Sequence, residues 1–170
     1  MLRIAIAQLN PVMGDIAGNL AKARVARKQA ADAKADLILF SELFISGYPP
    51  EDMVLKPAFV KACEVAVREL AQDTADGGPG VIIGTPLQCE SGLHNAVMVL
   101  DGGAVIAERY KVDLPNYGEF DEKRVFQPGP MPGPVNFRGV RLGIPICEDI
   151  WHVELGVVET LAESGAEILL

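Results

Sequence analysis

Three side chains suited to acyl transfer stand beyond apolar, strand-like segments of this sequence. They are Glu42, Lys111 and Cys147, and each follows a run of β-compatible residues. A thiolate can act as nucleophile, a carboxylate as its general base, and an ammonium as a partner for the oxyanion of a tetrahedral intermediate. Because strand ends can converge on one pocket, we expect the three side chains to meet there.

Cys147 is the strongest candidate of the three. It lies between a predicted strand at 140–146 and a predicted helix that Asp149 would cap and that would run to Glu163. We expect the N-terminus of that helix to lower the pKa of the thiol, and the backbone N–H of Glu148 to face a substrate carbonyl oxygen. A small, inert core residue is the alternative for any single cysteine.

Glu42 and Lys111 are weak candidates when each is considered alone. Partial burial beside a strand end would raise the pKa of Glu42 towards the range that suits a general base. Lys111 would favour the thiolate and hold a developing oxyanion. A solvated charge at a strand end is nevertheless the commoner role for either residue type. The prediction of a site therefore rests on the combination of base, cation and nucleophile.

The composition disfavours several other classes of protein. The 170 residues are 49% hydrophobic and 22% charged, which is typical of a globular domain. A net charge of −8 disfavours nucleic acid and anionic membranes as partners. We expect no signal peptide and no membrane span. The three cysteines predict neither a disulfide framework nor a zinc site, so we expect no metal and a cytoplasmic location.

The elements that would position these residues alternate between strand and helix. We predict strands at 2–9, 35–40, 81–85, 95–100, 104–110 and 140–146, and helices at 19–34, 58–73 and 149–163. Asn19 is the expected N-cap of the first helix, and Asp101-Gly102-Gly103 predicts a hairpin turn. The order indicates a layered α/β fold. The chain closes on a further strand-like segment, so we expect it to be part of a longer protein.

Several remaining residues carry a simpler interpretation. His94 and His152 have no evident relay partner in a motif, which favours structural or surface roles. Cys63 and Cys89 are expected to be inert. The acidic residues of segment 119–122 are followed by Lys123 and Arg124, which favours a salt-linked loop over a metal site.

Three motif blocks resemble those of the nitrilase, or carbon–nitrogen hydrolase, superfamily. They are F-S-E-L at 40–43, Y-K-V-D-L-P-N-Y-G-E-F-D-E-K-R-V-F at 110–126 and I-C-E-D-I-W at 146–151. The resemblance covers nearly the whole chain and implies a catalytic triad of Glu42, Lys111 and Cys147, supported by Glu122. It also implies a four-layer α-β-β-α sandwich, truncated here on its C-terminal side.

Further details resemble the glutaminase domain of glutamine-dependent NAD synthetases. The resemblance implies that Tyr117 helps to line a glutamine pocket and that residues 1–170 are an incomplete glutamine amidohydrolase domain without a cofactor of its own. It implies ATP and Mg for an absent synthetase domain that would amidate deamido-NAD, and a homo-oligomer. Ser41 and Val125 depart from residues that are frequent in the family, at positions that carry no chemistry.

Two alternatives remain open from the sequence. The first is another nitrilase-branch enzyme, such as an ω-amidase or a carbamoylase. The second belongs to a different class and is a non-catalytic fragment or assembly module. We expect the 170-residue piece alone to be poorly stable or inactive, because its last strand would lack partners.

Overall fold

The computed structural model describes residues 1–151 and 156–170. In that part of the chain the α-helices are α1 (Ile16–Asp32), α2 (Pro57–Asp73) and α3 (Val157–Glu163). The strands are β1 (Ile4–Ala7), β2 (Leu37–Phe40), β3 (Gly80–Cys89), β4 (Gly92–Asp101), β5 (Ala104–Tyr110), β6 (Val135–Phe137), β7 (Val140–Gly143) and β8 (Ile168–Leu169). Short 3-10 helices occupy Glu51–Leu55, Thr74–Asp76, Glu122–Arg124 and Cys147–Ile150. None of the helices described is long and apolar enough to cross a membrane.

The first sheet has the strand order β1-β2-β3-β4-β5. Strands β1, β2 and β3 run parallel, and α1 and α2 make the crossovers between them. Strands β4 and β5 are added antiparallel. The predicted hairpin is confirmed: Gly102 and Gly103 form its turn with φ of 58° and 87°, a left-handed conformation that glycine adopts without a steric cost.

The second sheet has the order β6-β7-β8, with β6 antiparallel and β8 parallel to β7. Its inner face packs on one face of the first sheet, where the buried residues include Leu37, Ile82, Val99, Phe137 and Leu142. Helices α1 and α2 cover the opposite face of the first sheet. Helix α3 contacts β7, and its Leu161 is fully buried. The layers therefore follow the order α-β-β-α, as the family resemblance implied.

The first helix begins earlier than the sequence predicted. Asp15, not Asn19, is its N-cap, and the Asp15 side chain accepts the N–H of Gly18. Asn19 is fully buried within α1. Its side chain accepts the N–H of Val12 and donates to the carbonyl oxygens of Val12 and Ile45. The prediction of an Asn19 cap is wrong because this amide serves two neighbouring loop segments instead of its own helix.

The predicted strand at 140–146 and helix at 149–163 are both shorter in the structure. Strand β7 ends at Gly143, two residues before Pro145, which has no N–H to donate to a ladder. Beyond Cys147 the chain forms the 3-10 helix Cys147–Ile150, and α3 starts only at Val157. Asp149 caps that short helix by accepting the N–H of Ile146. His152 lies outside the described residues.

Candidate active site

Glu42, Lys111 and Cys147 meet beside the carboxyl ends of β2 and β5. The Lys111 ammonium donates to Oε1 of Glu42 at 2.8 Å and to Oε1 of Glu122 at 2.9 Å. The charge of the Glu42 carboxylate acts on the Cys147 thiol and raises its pKa, so the two side chains are neighbours. The structure thus brings together the three predicted side chains and the predicted supporting glutamate, although they come from four separate segments of the chain.

Unusual backbone conformations lie at two of these positions. Leu43, which follows Glu42, has φ of 49°, and Cys147 itself has φ of 50°. Non-glycine residues rarely adopt this left-handed region, so the surrounding structure must hold it. On β3, Gly84 lies so close to this backbone that a Cβ there would stand 2.2 Å from the Leu43 nitrogen. The backbone of Glu42 and Leu43 is therefore fixed by close packing as well as by the end of β2.

The Lys111 side chain is completely buried, with 0% of its surface exposed. Burial by itself would lower its pKa, but the charges and hydrogen bonds of Glu42 and Glu122 outweigh burial, so the pKa of Lys111 is raised. Burial also raises the pKa of Glu122, against the opposing effect of its hydrogen bonds from Lys111 and Asn95. Lys111 is therefore a fixed positive charge between two carboxylates.

The Cys147 thiol has a raised pKa, contrary to the lowering predicted from a helix N-terminus. Partial burial and then the charge of Glu42 raise the pKa of Cys147 to about 11, while Lys111 opposes them. The prediction is wrong because Cys147 begins only a short 3-10 helix and because burial and two nearby carboxylates raise the pKa of its thiol. The thiol is thus protonated at rest, and since Cys147 is solvent-exposed, a substrate can reach it.

Charge conservation in this cluster favours proton transfer from the thiol to Glu42. With both glutamates ionised, Lys111 protonated and the thiol neutral, the four groups carry a net charge of −1. Transfer of the Cys147 proton to Glu42 leaves that total unchanged. Ionisation by loss of the proton to water would instead raise the negative charge near a buried site, where charge separation is expensive. The geometry therefore suits a general base inside the cluster.

Asn95 and Tyr48 belong to the same network and were not predicted. Asn95 is fully buried on β4, and its amide donates to Glu42 at 2.6 Å and to Glu122 at 3.3 Å. The Tyr48 hydroxyl donates to Glu122 at 3.3 Å. An amide inside an otherwise apolar strand is a sequence signal that could have identified Asn95, because buried polar groups require partners.

Asp149 joins the segment of the nucleophile to the segment of the cation. Its carboxylate accepts the N–H of Ile146 at 2.9 Å, of Val112 at 3.0 Å and of Asp113 at 2.8 Å. Burial raises the pKa of Asp149, and these three backbone donors oppose the rise. The sequence predicted only a helix cap at this position, whereas the side chain also links two loops across the site.

Tyr117 and Glu148 lie beside a pocket of about 670 Å³ that the loop after Lys111 forms with Glu148. The Tyr117 hydroxyl donates to the Glu148 carboxylate at 2.9 Å, and 59% of the tyrosine surface is exposed. In the described part of the chain, no acceptor takes the backbone N–H of Glu148, which is near the start of its short helix. Glu148, which follows the thiol in the chain, lines this pocket, whereas Glu42, Lys111 and Cys147 do not.

The other titratable residues play structural parts. His94 is buried between the Ser91 hydroxyl and the Gln127 carbonyl, each at 2.8 Å; the serine partner was not predicted. Cys63 is buried in the core, which raises its pKa to about 12. Arg124 forms ion pairs with Asp121 and Asp52, as expected of a salt-linked loop. Among residues 1–151 and 156–170, no group of histidine, cysteine or acidic side chains could hold a metal ion.

Comparison with known proteins gives consistent matches. The family model for carbon–nitrogen hydrolases matches residues 3–170. Glutamine-dependent NAD(+) synthetases of Rhodobacter capsulatus and Thermotoga maritima are 44% and 41% identical over 99% and 89% of this chain. The chain spans only 30% and 26% of their respective lengths.

Solved structures show the same similarity in three dimensions. A glutamine-dependent NAD+ synthetase from Acinetobacter baumannii superposes with a TM-score of 0.91 at 35% identity, over 99% of this chain and 31% of that one. An amidase from Nesterenkonia sp. superposes with a TM-score of 0.83 at 28% identity, over 99% of this chain and 63% of the amidase. The description of one structure of this amidase names an active-site cysteine.

Proposed function

Because the chain belongs to the carbon–nitrogen hydrolase family, we propose that it hydrolyses the side-chain amide of glutamine through a thioester on Cys147. One observation carries the proposal: a buried ammonium, Lys111, bridges two carboxylates beside an accessible thiol. This arrangement holds a nucleophile, a base and a fixed cation within one cluster, which is the set that acyl transfer requires.

In the first half of the reaction, Glu42 takes the proton of Cys147 and the sulfur attacks the amide carbon. The carbonyl oxygen becomes an oxyanion, which Lys111 and the backbone N–H of Glu148 stabilise. Lys111 has three N–H donors, and two are used on Glu42 and Glu122, so one remains for the oxyanion. Glu42 then returns the proton to the departing nitrogen, ammonia leaves, and a glutamyl thioester remains.

In the second half, a water molecule attacks the thioester carbon. Glu42 accepts a proton from this water, and the thiolate leaves and regains that proton as glutamate departs. The sum is glutamine plus water giving glutamate plus ammonia, with Cys147 and Glu42 restored. Glu122 takes no part in proton transfer, and its ion pair holds Lys111 in place.

The choice of glutamine rests on the relatives and on the pocket beside Tyr117. The three synthetases compared above depend on glutamine, as their names state, and the pocket is lined by Tyr117, Glu148 and Lys123, which offer polar groups to an amino acid. In the complete protein, the ammonia would serve an ATP- and Mg-using part that amidates deamido-NAD to NAD. We place this enzyme in the cytoplasm as a homo-oligomer, with no cofactor in residues 1–170.

A second candidate function is hydrolysis of another ω-amide or of a carbamoyl group, which the likeness to the Nesterenkonia amidase favours. Ammonia release by the complete protein should be compared for glutamine, a simple ω-amide and a carbamoyl compound, with Cys147→Ser as the blank. We expect glutamine to give the highest kcat/KM. Turnover of the other substrates without glutamine turnover would select the second candidate.

A non-catalytic role is tested by covalent trapping. A chloroketone analogue of glutamine should alkylate Cys147 of the complete protein, and mass spectrometry should locate the adduct there. Cys63 serves as the internal control, because burial raises its pKa to about 12 and shields it. Absence of both ammonia release and an adduct at Cys147 would leave only an assembly role.

A further inference from the structure

Asn95 contacts all three charged members of the cluster, Glu42, Glu122 and Lys111. Its side-chain amide donates to Oε1 of Glu42 at 2.6 Å and to Oε2 of Glu122 at 3.3 Å. Its backbone carbonyl accepts the backbone N–H of Lys111 at 2.9 Å. Strand β4 thereby links the end of β2, the end of β5 and the 3-10 helix Glu122–Arg124 through one residue.

The orientation of the Asn95 amide follows from its neighbours. Both groups that it meets are carboxylates, which only accept hydrogen bonds, so the NH₂ must face them. Its own oxygen, Oδ1, is buried and has no partner in the described part of the chain. A buried acceptor without a partner is unfavourable and uncommon, and it calls for an explanation. The explanation is that the two hydrogen bonds from the NH₂ group to the glutamates hold the amide in this orientation.

Counting donors on the carboxylate oxygens separates the two glutamates. On Glu122, Oε1 accepts from Lys111 and Tyr48, and Oε2 accepts from Asn95. On Glu42, Oε1 accepts from both Lys111 and Asn95. Within the described residues, Oε2 of Glu42 is therefore the glutamate oxygen that accepts no hydrogen bond.

We propose that Asn95 is a positioning residue that makes Glu42, and not Glu122, the base for Cys147. Its amide occupies one oxygen of each glutamate, which directs the remaining Glu42 oxygen to the thiol and leaves neither oxygen of Glu122 without a donor. The same bond stabilises the ionised form of Glu42. This inference rests on the proposed hydrolytic function, since it concerns the base of that reaction.

The charged and titratable groups around Glu42 set the sign of the expected effect. Lys111 faces Glu42 from the end of β5. Glu122 faces it from the 3-10 helix, and Cys147 and Tyr48 from two further loops. Of these neighbours, Lys111 donates a hydrogen bond to Oε1 of Glu42, as does the Asn95 amide. Removal of the Asn95 donor should therefore move the acidic limb of activity to higher pH.

The test is the pH profile of two Asn95 variants of the complete protein. Asn95→Asp keeps the shape of the side chain but removes the NH₂, and Asn95→Ala removes the whole amide. For each we expect the acidic limb of kcat/KM for glutamine to rise by about one pH unit or more. Asn19→Asp is the matched control, because Asn19 is also fully buried and its amide also donates two hydrogen bonds, though only to backbone carbonyls away from the cluster.

Alkylation of Cys147 by iodoacetamide gives a readout that does not need glutamine turnover. Its rate should also show an acidic limb, since Glu42 must be ionised to accept the thiol proton, and this limb should shift in both Asn95 variants.

If glutamine is not hydrolysed but the acidic limb of alkylation shifts, the substrate proposal fails and the role of Asn95 stands. An acidic limb that lies at the same pH in the Asn95 variants as in the unmutated protein would overturn the inference. Loss of folding in both variants, with Asn19→Asp still folded, would also overturn it in favour of a purely structural role.

Discussion

Replacement of Gly84 by alanine should displace the proposed base without touching any group of the cluster. A Cβ at this position would stand 2.2 Å from the Leu43 nitrogen and 2.8 Å from both the Glu42 carbonyl carbon and the Ser41 oxygen. All three are backbone atoms and cannot swing aside as the end of a side chain can. The φ of Gly84 suits any residue, so lack of space is the only obstacle to alanine.

The size of the effect follows from these distances. Ordinary contact begins near 3.4 Å, so the Glu42–Leu43 backbone or β3 must shift by about 1 Å to relieve the 2.2 Å approach. A misplacement of about 1 Å at a catalytic group lowers the rate by about 10²-fold, or about 2.7 kcal/mol in the activation barrier. Crowding in a packed core should lower the free energy of unfolding by about 1–3 kcal/mol.

The assay is ammonia release from glutamine by the complete protein, together with thermal unfolding. Gly133→Ala is the control, because a Cβ at Gly133 would meet no atom within 4 Å. We expect the control to match the unmutated protein in both measurements. Unchanged kcat/KM in a folded Gly84→Ala protein would refute the argument that close packing against β3 sets the position of Glu42.

Three further predictions concern other members of the site. The first is an ultraviolet difference titration of the complete protein against Cys147→Ser. The thiolate signal of Cys147 should be absent at neutral pH and appear near pH 11, because the raised pKa keeps the thiol protonated at lower pH. A signal that is complete by pH 8 would contradict this prediction. Asp149→Asn should place an NH₂ against at least one of the three backbone N–H groups that donate to Asp149. This change should lower the free energy of unfolding by about 1–3 kcal/mol and should also lower activity. Equal melting temperatures of the variant and the unmutated protein would contradict this prediction. Tyr117→Phe should raise KM for glutamine several-fold with little change in kcat, because only the hydroxyl that contacts Glu148 is lost; an unchanged KM would remove Tyr117 from the pocket.

Strand ends and motif blocks were sufficient to predict the main members of the site. Glu42 and Lys111 follow β2 and β5 of the first sheet, whereas Cys147 follows β7 of the second sheet, which packs on the first, so strand ends of both sheets meet at the site. Glu122 came only from the family resemblance, because nothing local distinguishes it from Glu119 or Asp121 in the same loop. The layered arrangement followed from the alternation of strands and helices, and its four-layer form from the same resemblance.

The errors arose where a side chain bonds to a distant segment. Asn19 has the residue type and spacing of an N-cap, but its amide bonds to loop residues that the folded chain brings beside α1. The sign of the Cys147 pKa shift was wrong because a local helix argument ignored the partial burial and the carboxylates that tertiary structure adds. Asn95 was missed for the same reason, since its partners lie 53 and 27 residues away. Each of these contacts exists only after the sheet has formed.

The left-handed backbone at Leu43 and at Cys147 has a consequence for protein engineering. A designer who grafts glutamate, lysine and cysteine onto another α/β scaffold copies only side chains, whereas here two main-chain bends decide where two of them point. An ordinary strand that continues into an ordinary helix would direct the same side chains elsewhere. A transplanted site therefore needs the bent peptide segments themselves, together with a glycine on the neighbouring strand to make room for one of them.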